Sequence, residues 1–195
     1  MSTLKTSNIT HGSNTGTANI GLASDGKVTI ATKKLYCPGT VIQVASETKT
    51  GATSNDTDAG TWWSYTTHHI DITPTSTDSK VLVTGHMSLS REGAGYIFIA
   101  LYKGGSAITD AIGNELGNRP RATTAGYVNN VAHVESIPFS FLDSPSTTSE
   151  VTYSLAFRHD AGSTKNIAVN RSYENTNNVY QPRCQSTITA IEIAG

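Results

Sequence analysis

The residues best suited to chemistry cluster at 62–71: Trp62-Trp63-Ser64-Tyr65, then His68-His69-Ile70-Asp71. Successive side chains of a strand point to opposite faces, so His68 and His69 cannot share one metal ion, whereas His69 and Asp71 can. Two ligands do not make a zinc site, which takes at least three from the protein, and nothing nearby supplies another. The expectation is therefore no metal, with His68 turned to one face and His69 to the other. The same alternation separates the two tryptophans, one ring inward and one outward. An outward Trp62 or Trp63 beside Tyr65 offers an amphipathic ring for stacking on a sugar or a partner protein. The alternative is a contact between subunits, or a ring covered by a loop.

No sequence signature of catalysis accompanies these residues. The chain lacks a G-x-S-x-G elbow, a His-Glu-x-x-His pair, a P-loop and a dinucleotide fingerprint. Its acidic residues are scattered, with no evident glycosidase couple, although such a couple is drawn from distant strands and spacing alone does not exclude it. The expectation is no catalytic residue, no cofactor and no enzyme activity; a glycan-degrading enzyme is the catalytic reading left over.

Composition says what frame must hold these side chains. The chain has 195 residues, of which 15% are charged, with 14 Lys plus Arg against 15 Asp plus Glu and a net charge of -1. Average domains carry about 25% charge. A neutral chain without a basic stripe is a poor nucleic-acid binder. Thr (29), Ser (21) and Gly (17) fill the space that charge leaves; Thr favours pleated strands, Gly and Ser favour turns. The longest apolar run, Ile97-Phe98-Ile99-Ala100-Leu101, is far short of the roughly 20 residues of a membrane helix, so no membrane insertion is expected. The opening Met1-Ser2-Thr3-Leu4-Lys5 has no signal-peptide core, and synthesis in a cytosol is expected. Cys37 and Cys184 would meet only if the first and last strands are neighbours; a cytosolic origin favours free thiols, and the pairing stays open.

Residues 1–34 set isolated apolar side chains in a polar, Gly-rich background, too few for a core. They read as an extended arm for attachment or oligomerisation, with Leu4, Ile9, Ile20 and Leu22 as anchors and 27–30 as a strand that adds to a partner's sheet edge. The alternative is packing on its own domain. From 35 to 195 the chain reads as an antiparallel β-sandwich, jelly-roll-like. Strands are expected at 41–46, 62–72, 80–88, 96–103, 127–142 with a bend at Pro138, 151–158, 166–171 and 185–193, with a polar loop at 51–60 and a helical hint at 108–116. About eight strands with regular turn signals carry that reading. Tyr153, Leu155 and Phe157 share a buried face, opposite a wet one. In 96–103 both faces are apolar. Ile97, Ile99 and Leu101 take one, Tyr96, Phe98, Ala100 and Tyr102 the other. One enters the core; the other needs a cover, from a neighbouring subunit or from a loop of the same chain.

Several phrases carry a resemblance: Ile72-Thr73-Pro74-Thr75-Ser76-Thr77-Asp78-Ser79-Lys80-Val81-Leu82-Val83, Gly117-Asn118-Arg119-Pro120-Arg121-Ala122, Phe141-Leu142-Asp143-Ser144-Pro145-Ser146-Thr147-Thr148, Val169-Asn170-Arg171-Ser172 and Ser186-Thr187-Ile188-Thr189-Ala190-Ile191-Glu192-Ile193. In this order they resemble a domain of tailed-phage virion proteins, marine and cyanophage-like, found at the distal end of tail fibres and in short virion proteins. Cys184 departs from the pattern, which has a small residue after Arg183. The resemblance implies a homotrimeric structural protein of the virion, as a capsid decoration or a short tail appendage or fibre, that binds other virion proteins through residues 1–34; it brings no catalytic residues with it. A carbohydrate-binding module that recognises host surface glycan is the alternative. Physically, Thr73-Pro74 ends a strand, Asp143-Ser144-Pro145 makes a turn in which Asp143 bonds the following backbone, and Arg119, Arg121, Arg171 and Arg183 staple loops or contact a receptor.

Overall fold

The computed structural model describes residues 37–195 throughout and, before them, residues 8–9, 20–22, 24–25 and 28–30. Three short strands lie in the early part: β1 (Asn8–Ile9), β2 (Ile20–Leu22) and β3 (Val28–Ile30). They form an antiparallel sheet in the order β1-β2-β3, with Ile20 opposite Ile30 and Leu22 opposite Val28 across a turn at Ser24-Asp25. The expected extended arm is therefore folded back on itself over its described residues. Val28–Ile30 completes a local ladder, because a turn between two β-prone segments closes a hairpin at less entropic cost than a distant pairing. Ile9, Ile20 and Leu22 fall on these strands; Leu4 lies outside the described residues.

Eleven strands follow: β4 (Val41–Lys49), β5 (Thr53–Thr57), β6 (Trp63–Ile72), β7 (Lys80–Arg91), β8 (Gly95–Lys103), β9 (Ser106–Ala107), β10 (Thr124–Val128), β11 (Glu135–Asp143), β12 (Val151–His159), β13 (Lys165–Val169) and β14 (Ser186–Ile193). Eight of them make two antiparallel sheets, β4-β14-β7-β11 and β6-β12-β8-β10. In chain order that is first-eighth-third-sixth and second-seventh-fourth-fifth, the double Greek key of a jelly roll. The jelly-roll expectation thus holds. β13 pairs with the far end of β7 and β5 pairs with β13, which extends the first sheet.

Alternation decides which side chains meet between the sheets. Ile97, Ile99 and Leu101 of β8 and Tyr153, Leu155 and Phe157 of β12 are wholly buried, against Val81, Val83, Met87 and Leu89 of β7 and Ile188 of β14. All these assignments follow the period of two. β7 is the pivot, and at Gly85 its neighbours leave no room: a Cβ there would lie 2.0 Å from the Thr187 carbonyl oxygen and 2.9 Å from the Phe139 ring. The buried Asp143 is bonded across the sandwich. Asp143 accepts from Lys103 Nζ (2.8 Å) and from the Tyr153 hydroxyl (2.7 Å); burial first, then that carboxylate, holds the Tyr153 hydroxyl far above its ordinary value. Asp143 thus ends β11 turned inward, not as a turn residue bonding its own backbone, because Lys103 and Tyr153 offer a charged and a neutral donor together.

Three expected segments differ. Residues 53–57 form β5 rather than a loop; only Thr57 of this strand is buried, and the strand exists because β13 offers a free edge, which no apolar pattern signals. Residues 127–142 are two strands of different sheets. Val128 ends β10, and β11 starts at Glu135 and runs through Pro138 without a break. Pro138 is tolerated because β11 is an edge strand paired only with β7. Of the helical hint, a single 3-10 turn at Thr109–Ala111 remains.

Candidate functional site

The 62–71 cluster separates into an inner and an outer set. Trp63 stands opposite Phe157 and Tyr65 opposite Leu155 in the β6–β12 ladder, so both rings join the core face. Trp63 meets Tyr65 edge-on with centroids 5.2 Å apart and Phe157 at 5.5 Å, and Tyr65 is 4% exposed. This corrects the reading of Trp63 and Tyr65 as an open stacking platform: they are a packed aromatic cluster. Trp62 lies just before β6 and is half-buried.

The β6–β12 register jumps between Ser154, opposite His69, and Leu155, opposite Tyr65. β6 bulges there, which lets Tyr65 and His68, three apart, both turn inward. His68 is buried and its Nε2 donates to the Glu47 carbonyl at 3.2 Å. Burial holds its pKa below 6.5 despite that bond. His69 takes the opposite, outer face; its Nδ1 donates to the Thr66 carbonyl at 2.9 Å and its Nε2 lies 3.5 Å from Asp71, which accepts from Thr152 at 2.6 Å. Among the described residues, no group of three His, Cys, Asp or Glu is placed to hold a metal.

The outer face of the β6-β12-β8-β10 sheet carries an exposed aromatic pair. Tyr96 of β8 is 49% exposed and Tyr127 of β10 is 45% exposed. They are direct cross-strand partners with centroids 4.9 Å apart, and Phe98 stacks on Tyr96 at 6.3 Å. The side chains that face outward further along are small. Ala100 sits beside Ala156, and Ser154 lies between Tyr102 and His69. Ser154 and Ala156 are buried, contrary to the wet face expected for β12, which is a central strand flanked by β6 and β8; Ser154 sinks between the larger Tyr102 and His69. Burial also raises the Tyr102 hydroxyl. A groove of about 350 Å³ runs past Thr66, His69, Thr152 and Ser154.

Elsewhere, the β10–β11 loop and the β13–β14 loop border a cleft of about 430 Å³. The second of these loops starts from Asn170, which adopts φ 60° and is buried. Its side chain donates to the carbonyls of Lys49 (2.9 Å) and Gly51 (3.0 Å) and accepts from Ser186 (2.6 Å). Arg171 donates to the Ser172 and Tyr173 carbonyls and to Ser54, Arg183 donates to Asn175, and Arg121 donates to the Gly113 carbonyl. Three of the four loop arginines thus staple loops, as expected. Burial first, then Arg183, lowers the Arg171 guanidinium from its ordinary value. Cys37 and Cys184 are free thiols. Sequence reasoning passed over the 173–182 loop, since it has no periodicity; its run of asparagines ending in Val179-Tyr180 was the signal available.

No family model matches the chain, and no curated protein matches it. Solved structures similar to it include the Gx strain of infectious bursal disease virus, at 12% identity over 78% of this chain and 37% of that chain with a TM-score of 0.40. Another is the VP2 subviral particle of infectious bursal disease virus, at 11% identity over 77% of this chain and 41% of that chain with a TM-score of 0.36. The chain spans about two-fifths of the length of these chains. Among the described residues, no helix is long and apolar enough to cross a membrane.

Proposed function

We propose that this chain is a structural protein of a tailed-phage virion, a capsid decoration or short tail appendage, that assembles as a homotrimer and acts by binding rather than by catalysis. The observation that carries the reading is β8. Its inner face fills the core while its outer face presents Tyr96 and Phe98 beside Tyr127, with Tyr96 and Tyr127 half open to solvent. An aromatic patch on an ordered sheet, rimmed by polar strands, is the composition of an interface core. Threefold symmetry and the virion setting come from the resemblance of the five sequence phrases, and the jelly roll is an architecture that viral capsid domains share with lectins and cupins, a fold-level analogy only. Residues 1–34 are the segment that attaches to other virion proteins. Light scattering on the full chain at micromolar concentration tests the assembly: a species near three times 20.6 kDa is expected, and a stable monomer overturns it.

A further inference from the structure

The cleft between the β10–β11 and β13–β14 loops has a chemistry unlike the sheet face. Asn129, Asn130 and His133 line it from one loop, Tyr180 and Pro182 from the other, with Val134 at its wall. His133, the histidine among the described residues of the lining, is already engaged: its Nδ1 accepts from the Asn129 backbone N–H at 3.0 Å and its Nε2 lies 3.3 Å from Glu135. Among the described residues no Lys or Arg lines the cleft, so none of them compensates a phosphate or a carboxylate. Asn130 uses its side-chain oxygen to hold the Ala132 N–H at 2.9 Å, and among the described residues no hydrogen bond uses its amide NH2 or a side-chain polar atom of Asn129. Tyr180 is 78% exposed, although the loop beneath it is fixed. Thr176 N–H donates to Gln181 Oε1 (2.5 Å), Gln181 Nε2 to Glu174 (2.9 Å), Tyr180 N–H to Asn178 Oδ1 (3.1 Å), and Glu174 N–H to the Val131 carbonyl across the cleft (3.2 Å).

We propose that this cleft binds a neutral oligosaccharide. Planar amides donate and accept at once, which matches neighbouring sugar hydroxyls. An exposed phenol ring covers the apolar C–H face of a pyranose while its hydroxyl stays wet. Val134 and Pro182 supply apolar wall, and the volume lies within the range of small-ligand sites. The bonds that fix the loop reduce the ordering cost of binding. This site stands apart from the sheet face and does not depend on the assembly reading.

The test is the full chain on an array of hexose- and N-acetylhexosamine-based neutral oligosaccharides, with sialylated and uronate-containing glycans as the acidic arm. Hits are measured by calorimetry. Binding to neutral glycans is expected. Tyr180→Ala should weaken it tenfold or more and Asn130→Ala several-fold, both with unchanged melting temperature and unchanged mass by light scattering. Tyr96→Ser, on the sheet face, should leave it intact. No neutral glycan bound, binding confined to acidic glycans, or neutral binding that survives Tyr180→Ala overturns the proposal.

Discussion

Tyr96 and Tyr127 face each other across the β8–β10 ladder, edge to face at 4.9 Å, on the outside of a sheet whose inside is fully packed. Within one chain such a pair contributes about 0.5–1.5 kcal/mol, too little to account for two large side chains held half in solvent. The proposed covering by a second copy would account for them. The double variant Tyr96→Ser, Tyr127→Ser is expected to lower the mass seen by light scattering toward 20.6 kDa while the melting transition stays cooperative. A variant that keeps the assembled mass removes this face from the interface.

Phe157 is the inward anchor of the other aromatic group. It is wholly buried, with Trp63 at 5.5 Å and Tyr65 at 5.4 Å. Phe157→Ala removes a ring that two others pack on and is expected to cost about 3–5 kcal/mol in denaturant unfolding. Trp62→Ala, outside this cluster, should cost far less. Equal losses at the two positions would contradict the division into an inner and an outer tryptophan.

Two buried groups make stability fall on acidification. His68 titrates below 6.5 in the folded chain because of burial. As pH falls through about 6.5 the unfolded chain takes up that proton first, so stability drops until the folded-state value is passed. Glu192 is wholly buried. Burial works to raise its carboxyl, but the Thr75 N–H (2.6 Å) and hydroxyl (2.7 Å), with Gln43 Nε2 (2.6 Å), overcome it and hold the carboxyl below 4.5. The stability from those bonds is complete above about pH 4.5 and is lost as pH falls through the folded-state value. Urea midpoints measured between about pH 8 and pH 3 should therefore fall in two stages. His68→Gln should remove the upper stage and Glu192→Gln the lower. A midpoint that is level from about pH 7 to pH 5 would contradict a buried, neutral His68.

How much was legible in the sequence follows from where side chains alternate. β12 showed its core face, since Tyr153, Leu155 and Phe157 keep the period of two; in β8 the period separated Ile97, Ile99 and Leu101 from Tyr96, Phe98, Ala100 and Tyr102, but with both sets apolar it left open which of them enters the core. Even the opposed placement of His68 and His69 was legible, because adjacent strand residues part faces whatever bulge lies upstream. That one tryptophan turns inward and the other outward was legible, but which one was left open: it is fixed by Phe157, 94 residues from Trp63 in sequence, through the β6–β12 register. β5 was hidden for a related reason. Ser54, Asn55 and Asp56 have no apolar rhythm, and their strand is made by the edge of β13. The cleft was hidden because loops 129–134 and 173–182 meet only after β10 and β11 have gone to different sheets.

Residues 1–34 give the last prediction. Their described strands make a small sheet of their own in the order β1-β2-β3, while the jelly roll from β4 onward closes its two sheets with its own strands and fills its core with residues from β6 to β14. A chain that begins at Leu35 lacks none of those core residues and should melt cooperatively. If the early segment is the attachment element, the shortened chain should fail to decorate phage particles that lack the native protein, while the full chain restores them. A short segment needs many contacts to offset the roughly 1–2 kcal/mol of backbone entropy lost per ordered residue, and the proposed virion surface with repeated acceptors would supply them. Decoration by the shortened chain at full-length levels would move attachment to the jelly roll, where the Tyr96–Tyr127 face is the first surface to mutate.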